Sequence, residues 1–219
     1  MKKSINKQLA LSVVLILICF LIAVKALSSI TTVIFDSRQV VCLDPGHGGD
    51  DVGAVYKNNS RFEKDDNLNL ALKVKAELEQ KDVKVIMTRE DDTYVSLKNR
   101  CKTANRGRAD LFVSLHRNSS SDGTGMEIWI KDKPLPEEEK LANDILNALA
   151  NASEIPARGV KKGYRDSTGN NYYVNANTNM PSCLAEVGFI SNEKDNKDFD
   201  KNIDDYAKAI ADAIYENLQ

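Results

Sequence analysis

The amino-acid sequence predicts an α/β domain with a central, mostly parallel sheet flanked by helices, preceded by one hydrophobic N-terminal helix. From about residue 39 onward, short apolar segments alternate with segments whose apolar residues recur at helical spacing. This alternation is typical of parallel sheets with helical crossovers. The chain has 219 residues, of which 42% are hydrophobic and 28% charged, enough for one such domain and a small appendage. An apolar run behind a lysine-rich tail predicts the N-terminal helix.

The N-terminal segment has the pattern of a membrane-directed sequence. Three lysines in the first seven residues precede an apolar run from Leu9 to Val24. The run is slightly short for a membrane span of roughly 20 residues and slightly long for a signal-peptide core of about 7–15 residues. We therefore expect residues 1–27 to be a signal peptide or a membrane anchor, residues 28–38 a tether, and residues 39–219 a single folded domain. Basic residues stay on the cytoplasmic side, so that domain is expected outside the cell membrane, anchored to it or secreted.

In the first half of the domain, each predicted element has a local signal. An apolar run predicts the first strand, and the glycine-rich turn "GHGG" follows it. Two adjacent aspartates favour a helix start, and Ser96 is a residue type that caps helices. The predicted elements are a strand at 40–43, a helix from Asp65 to Gln80 with Leu68, Ala71, Leu72 and Leu78 facing inward, a strand at 83–88 and a helix at 97–106.

The second half continues the alternation. Apolar or alternating segments predict strands at 111–115, 126–130, 172–174 and 183–189. Helical spacing predicts helices at 137–150 and from Asp204 to Leu218, the last with Tyr206, Ile210, Ala213 and Ile214 facing inward. The stretch 153–171 has no period, so we expect a long loop there, of a kind that is often functional.

Charge and cysteine content exclude some classes of function. The 30 basic and 32 acidic residues nearly cancel, so the chain lacks the basic surface expected of a nucleic-acid-binding protein. Cys42, Cys101 and Cys183 form an odd set without a C-x-x-C pair, which argues against a zinc–cysteine site. Cys42 and Cys183 fall in predicted buried strands, where either free thiols or a disulfide between them is compatible with the sequence.

The chain has only two histidines, and both follow predicted strands. His47 lies in the glycine-rich turn after the first strand, and His116 follows the strand at 111–115. Glu186 lies in or near the end of a third strand, and Glu63 just precedes the first helix of the domain. Ligands of parallel sheets bind beyond the carboxyl ends of the strands. The sequence therefore predicts that these four side chains share one edge of the sheet.

Two imidazoles and a carboxylate match a zinc arrangement used in catalysis, and a second carboxylate can move a proton during amide hydrolysis. Taken singly, each residue also has a structural interpretation. "GHGG" could be only a turn, Glu63 a charge favoured at a helix N-terminus, and Glu186 an ion-pair partner of Arg100 or another arginine. No H-E-x-x-H helix is present, and "GHGG" lacks the Gly-Lys-Ser/Thr of a phosphate-binding loop.

Five segments resemble the zinc-dependent N-acetylmuramoyl-L-alanine amidases of the amidase-3 type, which are cell-wall hydrolases. They occur in the family's order within about residues 39–218: "LDPGHGG", "EKDDNLNLAL", "VIMTREDDTYVSLKNR", "ADLFVSLHRN" and "NMPSCLAEVGFISN". The resemblance implies a six-stranded twisted sheet and a Zn²⁺ cofactor held by His47, Glu63 and His116, with Glu186 as the catalytic carboxylate. It implies peptidoglycan as the substrate, cut at the amide between the lactyl group of muramic acid and L-alanine.

The chain also resembles the small, anchored amidases of endospore formers that trim cortex peptidoglycan. Such enzymes can depend on an activating protein partner. The sequence departs from the family at Arg117, where members often have a small residue, and at Ala176, where many have arginine. We therefore expect Arg117 to help hold the acidic stem peptide. Two alternatives remain open: a zinc hydrolase of another cell-wall amide, and an anchored peptidoglycan-binding protein without turnover.

Overall fold

The structure, a computed structural model, describes residues 13–25, 38–165 and 170–219. The chain divides into two compact units, Met1–Arg38 and Gln39–Gln219. In the first unit, residues 13–25 form an exposed helix, α1. The start of the apolar run and nearly all of the predicted tether lie outside the described residues. Within the described ranges, no helix has both the length and the apolar character that a membrane crossing requires.

The second unit contains a six-stranded, mostly parallel sheet, as the sequence predicts. Its strand order is β4-β1-β5-β8-β6-β7, and of its neighbouring pairs only β6 and β8 are antiparallel. A separate antiparallel pair, β2 with β3, precedes the first helix of the unit. The strands are β1 Val40–Pro45, β2 Val55–Tyr56, β3 Arg61–Phe62, β4 Lys84–Met87, β5 Leu111–Asn118, β6 Met126–Ile130, β7 Ala157–Lys162 and β8 Ser182–Phe189.

Helices cover both faces of this sheet. The larger apolar cluster packs one face against three helices, and a smaller cluster packs the other face against two. The helices on the first face are α2 Glu63–Gln80, α4 Pro136–Asn151 and α6 Glu193–Leu218; those on the second are α3 Leu97–Gly107 and α5 Tyr173–Asn177. This layering covers both sides of β1, β5 and β8, so these strands are buried along almost their whole length.

The first helix of the domain differs from its prediction in start and in face. α2 begins at Glu63, two residues before the predicted start, because the chain enters it directly from β3. Its buried apolar residues are Leu70, Ala71, Val74 and Leu78. The prediction is confirmed for Ala71 and Leu78 and wrong for the other two, because Leu68 is only half-buried and Leu72 is 38% exposed.

Three further predictions were wrong in the second half. Residues 172–174 were expected to be a strand, but α5 begins at Tyr173, and so short an aromatic run does not distinguish strand from helix. The predicted loop 153–171 contains the edge strand β7, whose charged residues hide its strand character. α6 begins eleven residues before Asp204, because polar residues rather than an apolar stripe are buried along its first turns.

Cys42 and Cys183 do not form a disulfide. Both thiols are free and buried. β1 and β8 are separated by β5, and strands two positions apart lie roughly 9.6 Å from each other, beyond disulfide reach. The two cysteines also belong to the apolar clusters on opposite faces of the sheet. They pack as small apolar groups.

Candidate metal centre

The structure brings His47, Glu63 and His116 together. Their ligand atoms all lie within 4.8 Å of one another. His47 and His116 share one edge because β1 and β5 run parallel, with Pro45 opposite Leu115 in the register. The sequence analysis placed His116 after its strand, but β5 continues to Asn118, so this histidine lies within the strand.

The carboxylate of Glu63 lies between the two imidazoles. Its Oε1 atom is 2.8 Å from Nδ1 of His116 and 3.2 Å from Nε2 of His47. The two rings are 5.0 Å apart at their centroids and nearly perpendicular, at 79°. Nitrogen atoms of both rings therefore lie at hydrogen-bond distance from the same oxygen, and the three groups are close enough together to bind one cation.

Electrostatics within this cluster favour a buried charge. Burial disfavours the ionised form of Glu63, but hydrogen bonds and the charges of His116 and His47 prevail and hold the pKa of Glu63 well below its usual range. Burial likewise disfavours protonated His47, yet hydrogen bonds with Glu63 and Asp51 raise its pKa to about 9. Positive charge is thus favoured beside this carboxylate, and a divalent cation would take the place of the proton of His47.

A second layer of hydrogen bonds orients His47 and Glu63. Oδ1 of Asp51 is 2.8 Å from Nδ1 of His47, on the ring nitrogen that faces away from Glu63. The backbone N–H of Ala54 donates to Oε2 of Glu63 at 2.8 Å, and that of Arg117 donates to Oε1 at 3.2 Å. Metal-ligating histidines and carboxylates commonly have such outer partners, which fix ring orientation and raise ligand basicity.

Two buried arginines hold the turn that carries His47. Arg89 donates to the carbonyls of Pro45 at 3.0 Å and Gly46 at 2.9 Å, and Arg100 donates to those of Pro45 and His47, both at 2.7 Å. His47 has a φ of 60°, which is costly for a residue other than glycine. The arginines hold the carbonyls of this strained turn and so keep the imidazole in place.

Two glycines make room for the cluster. A Cβ atom on Gly46 would lie 2.2 Å from the His116 ring, and one on Gly53 would lie 2.7 Å from both Glu63 and His47. The close approach of backbone to these side chains therefore requires glycine at both positions. Gly46, the first glycine of the motif "GHGG", is therefore required by the close approach of the His116 ring and not by His47.

Glu186 is next to His116 on the adjacent strand. The two residues are register partners between β5 and β8, and both line the same cleft. Glu186 is 7% exposed, and its Oε2 atom has no hydrogen-bond partner among the described residues. Burial, with the nearby charges of Glu63 and Glu127, raises the pKa of Glu186 to about 7. A carboxyl group that titrates near neutrality is suited to both accept and donate a proton.

Arg100 does not pair with Glu186, which was one structural interpretation of that carboxylate. Its guanidinium instead forms a buried ion pair with Asp44, at 2.7 Å. Asp44 also accepts from Thr88 at 2.6 Å and from Ser114 at 2.7 Å. The interpretation with Arg100 is therefore wrong, while the charge of another arginine, Arg165, does act on Glu186 and opposes the rise of its pKa.

The candidate centre opens into a cleft of about 380 Å³. Its floor includes His47, His116 and Glu186, and its walls are rich in tyrosine: Tyr94, Tyr164, Tyr172 and Tyr173. The ring of Tyr172 packs 4.8 Å from that of Tyr164, measured between centroids. A polar floor with aromatic walls is the usual composition of a site for an organic substrate.

Arg117 does not lie in this cleft, so the expectation that it holds the stem peptide was wrong. It is 2% exposed, and its guanidinium bonds Asp66 and Asn196 beneath α2 and α6. Successive strand residues point to opposite faces, so His116 and Arg117 face different sides of β5. The charge of Arg117 is paired inside the protein and cannot contact a peptide bound in the cleft.

The residues present fit zinc. Two imidazole nitrogens and one carboxylate oxygen converge, His47 and Glu63 have outer hydrogen-bond partners, and this donor set is the type found in catalytic zinc sites. Sequence reasoning identified these three residues but missed Asp51, Arg89 and Arg100. The one local signal for Asp51 is its position four residues after His47. No local pattern indicated that Arg89 and Arg100 bind the carbonyls of the turn that carries His47.

Comparison with known proteins gives consistent matches. A sequence family described as N-acetylmuramoyl-L-alanine amidase (amidase 3) matches residues 41–218. The chain is 36% identical to YqiI of Bacillus subtilis, over 82% of this chain and 83% of that protein. It is 32% identical to the probable cell wall amidase LytH of Staphylococcus epidermidis, over 83% of this chain but only 57% of LytH.

Solved structures agree. An N-acetylmuramoyl-L-alanine amidase from Clostridium difficile 630 is 35% identical with a TM-score of 0.76, over 84% of this chain and 98% of that one. The CwlD amidase from Clostridioides difficile, in complex with the GerS lipoprotein, is 31% identical with a TM-score of 0.74, over 83% of this chain and 98% of CwlD.

Proposed function

The chain belongs to the amidase-3 family of N-acetylmuramoyl-L-alanine amidases, and from this premise we propose a specific reaction and metal. It hydrolyses, with zinc, the amide bond between N-acetylmuramic acid and L-alanine in peptidoglycan, and so removes stem peptides from the glycan. In this proposal His47, Glu63 and His116 hold the metal and Glu186 is the catalytic carboxylate. Peptidoglycan lies outside the cytoplasm, so the enzyme acts there.

One observation carries the proposal: ligand atoms of His47, Glu63 and His116, from three separate elements, lie within 4.8 Å of one another beside the unpartnered oxygen of Glu186. A structural cluster of this kind would leave no buried carboxylate oxygen unsatisfied, because each such atom costs free energy. Glu186 is one of the residues that line the cleft, so a water molecule or a substrate group bound there would be close to its carboxyl group.

The chain's own residues supply the proton transfer. Zinc, when bound, polarises the amide carbonyl and makes a water molecule acidic near neutral pH. Glu186 accepts the proton of the attacking water and then donates it to the nitrogen of the departing L-alanine. Its raised pKa, about 7, suits both halves of this transfer. Asp51 and the backbone N–H of Ala54 keep His47 and Glu63 oriented meanwhile.

Digestion of purified peptidoglycan by the full-length chain tests the reaction. We expect new L-alanine amino termini on released stem peptides, detected by amino-group labelling and mass spectrometry. We also expect a metal chelator to stop the release and added zinc to restore it. Release of acetate instead would indicate a sugar deacetylase, and cleavage within the stem would indicate a peptidase. Binding without any release would indicate a wall-binding protein, and each of these results would contradict the proposal.

The N-terminal segment supplies the proposed location. The basic tail and apolar run at residues 1–27 support a membrane anchor or a signal peptide, which would deliver residues 39–219 to the cell wall. In cells that express the full chain, we expect the protein in the membrane fraction at its full mass if the segment is an anchor. A shortened, released chain would identify it as a signal peptide, and a full-length cytoplasmic chain would contradict both.

A protein partner and a role in the spore cortex remain finer parts of the proposal. The solved complex of CwlD with a lipoprotein supports the idea that this chain, too, acts with a partner. A partner that activates it would raise the rate of stem-peptide release by the purified chain. Cortex specificity would appear as preferential digestion of cortex over vegetative peptidoglycan, whereas equal rates would argue against it.

A further inference from the structure

Arg117 directly follows a candidate zinc ligand, but its side chain points into the protein. It lies on β5 next to His116, and only 2% of it is exposed. A buried guanidinium is expensive unless its donors are paired. Burial lowers the pKa of Arg117 to about 10, so it is still charged at neutral pH. The contacts of the Arg117 guanidinium must therefore offset the free-energy cost of burying its charge.

The first contact is with the start of α2. Nη1 of Arg117 is 2.6 Å from Oδ2 of Asp66, and the backbone N–H of Arg117 donates to Oε1 of Glu63 at 3.2 Å. Glu63 and Asp66 are three residues apart in α2, so they lie on one side of its first turn. One residue of β5 thus holds two points of this turn, which fixes both its rotation and its distance from the strand.

The second set of contacts reaches α6 and β8. Nη2 donates to Oδ1 of Asn196 at 2.8 Å, and the guanidinium lies 4.1 Å from the centroid of the Phe199 ring. Nε donates to the carbonyl of Gly188 at 3.5 Å, two residues after Glu186 on β8. The same side chain therefore touches elements that carry His116, Glu63 and Glu186.

We propose that Arg117 is a positioning residue of the metal centre, which holds α2 against β5 so that Glu63 stays within reach of both imidazoles. This inference rests on the metal site of the proposed function. Without the guanidinium, Asp66 and Asn196 lose their shared partner, and the first turn of α2 can shift relative to His116. A small shift of this turn is sufficient to weaken metal binding, because metal affinity depends on ligands that are held in position before the metal binds.

The test measures zinc affinity of the full-length chain by competition with a chromogenic chelator. We expect Arg117→Met to weaken zinc binding by about 10–100-fold, the range typical when support for a metal ligand is lost. Arg117→Lys should give an intermediate loss, because an ammonium can pair with Asp66 but lacks the planar fork that also reaches Asn196. The lysine variant keeps the test valid if the methionine variant does not fold, which circular dichroism will show.

Arg61→Met is the matched control. Arg61 is the other partner of Asp66, at 2.7 Å, and it also pairs with Asp200 at 2.7 Å and lies over the Phe199 ring. Among the described residues, none of its side-chain hydrogen bonds or ion pairs reaches β5 or Glu63. The Arg61→Met substitution should lower the melting temperature while changing zinc affinity by less than about twofold. Equal losses of zinc affinity in Arg61→Met and Arg117→Lys would show that Arg117 only stabilises the fold, and would contradict the inference. Unchanged affinity in Arg117→Lys, with wild-type zinc binding intact, would also overturn the inference. Absence of zinc binding in the wild type would instead refute the proposed function, and this inference with it.

Discussion

Replacement of His116 by alanine is expected to abolish both zinc retention and stem-peptide release. The imidazole of His116 supplies one of the three proposed ligands, and its Nδ1 also lies 2.8 Å from Oε1 of Glu63. Loss of outer partners alone typically lowers metal affinity by about 10–100-fold, so loss of a ligand should lower it by more than about 100-fold. Elemental analysis of the purified full-length variant, paired with the peptide-release assay, measures both effects.

The variant also leaves Glu63 buried with one imidazole fewer, so some loss of stability is expected as well. Circular dichroism separates this effect from loss of metal, since a folded variant without zinc is the predicted outcome. His47→Ala should behave in the same way, because Glu63 contacts both rings through the same oxygen. A His116→Ala chain that retained one zinc per molecule and released peptides would exclude this histidine from the metal site.

Glu186→Gln is expected to separate metal binding from turnover. Glutamine keeps the shape of the side chain in its buried position but cannot take up a proton at neutral pH. General acid–base groups typically contribute about 10²–10⁴-fold to rate, and we expect a loss of kcat in that range. Zinc content should remain that of the wild type, because the three proposed ligands are unchanged.

A matched control is Glu154→Gln, which makes the same chemical change at an exposed residue paired with Lys201. It should leave both zinc content and rate unaltered. If Glu186→Gln lost its zinc, Glu186 would be a ligand, and the roles of Glu63 and Glu186 would need to be exchanged. If it kept full activity, another group would have to carry the proton.

The candidate site was largely predictable because its residues lie at the ends of elements. Apolar runs predicted the strands before His47 and His116, and the parallel arrangement of β1 and β5 then placed both at one edge. Glu63 is the first residue of α2, so its interpretation as a helix N-terminal charge and its place in the cluster are both correct. The same glutamate is therefore both a favourable charge at the start of α2 and a member of the cluster.

The errors have physical causes in common. Arg117 was assigned to the substrate because Ala176 stands where many members of the family have arginine, yet adjacent strand residues face opposite sides of the sheet, and Arg117 faces away from the cleft. β7 was missed because an edge strand tolerates charged residues, and α5 because five residues carry too little periodicity. In each case the environment of the segment, rather than its composition, decided the outcome.

By itself, the sequence determined the alternation of strands and helices, the edge at which the two histidines lie, and the candidacy of Glu63 and Glu186. These features follow from local periodicity, which records the face of each element that is buried. Only the tertiary structure decided that Arg89 and Arg100 hold the turn of His47, that Asp51 orients its ring, and that the charge of Arg117 is buried. Such partners lie on different elements or across a turn, so they depend on strand order and backbone path, which no local pattern encodes.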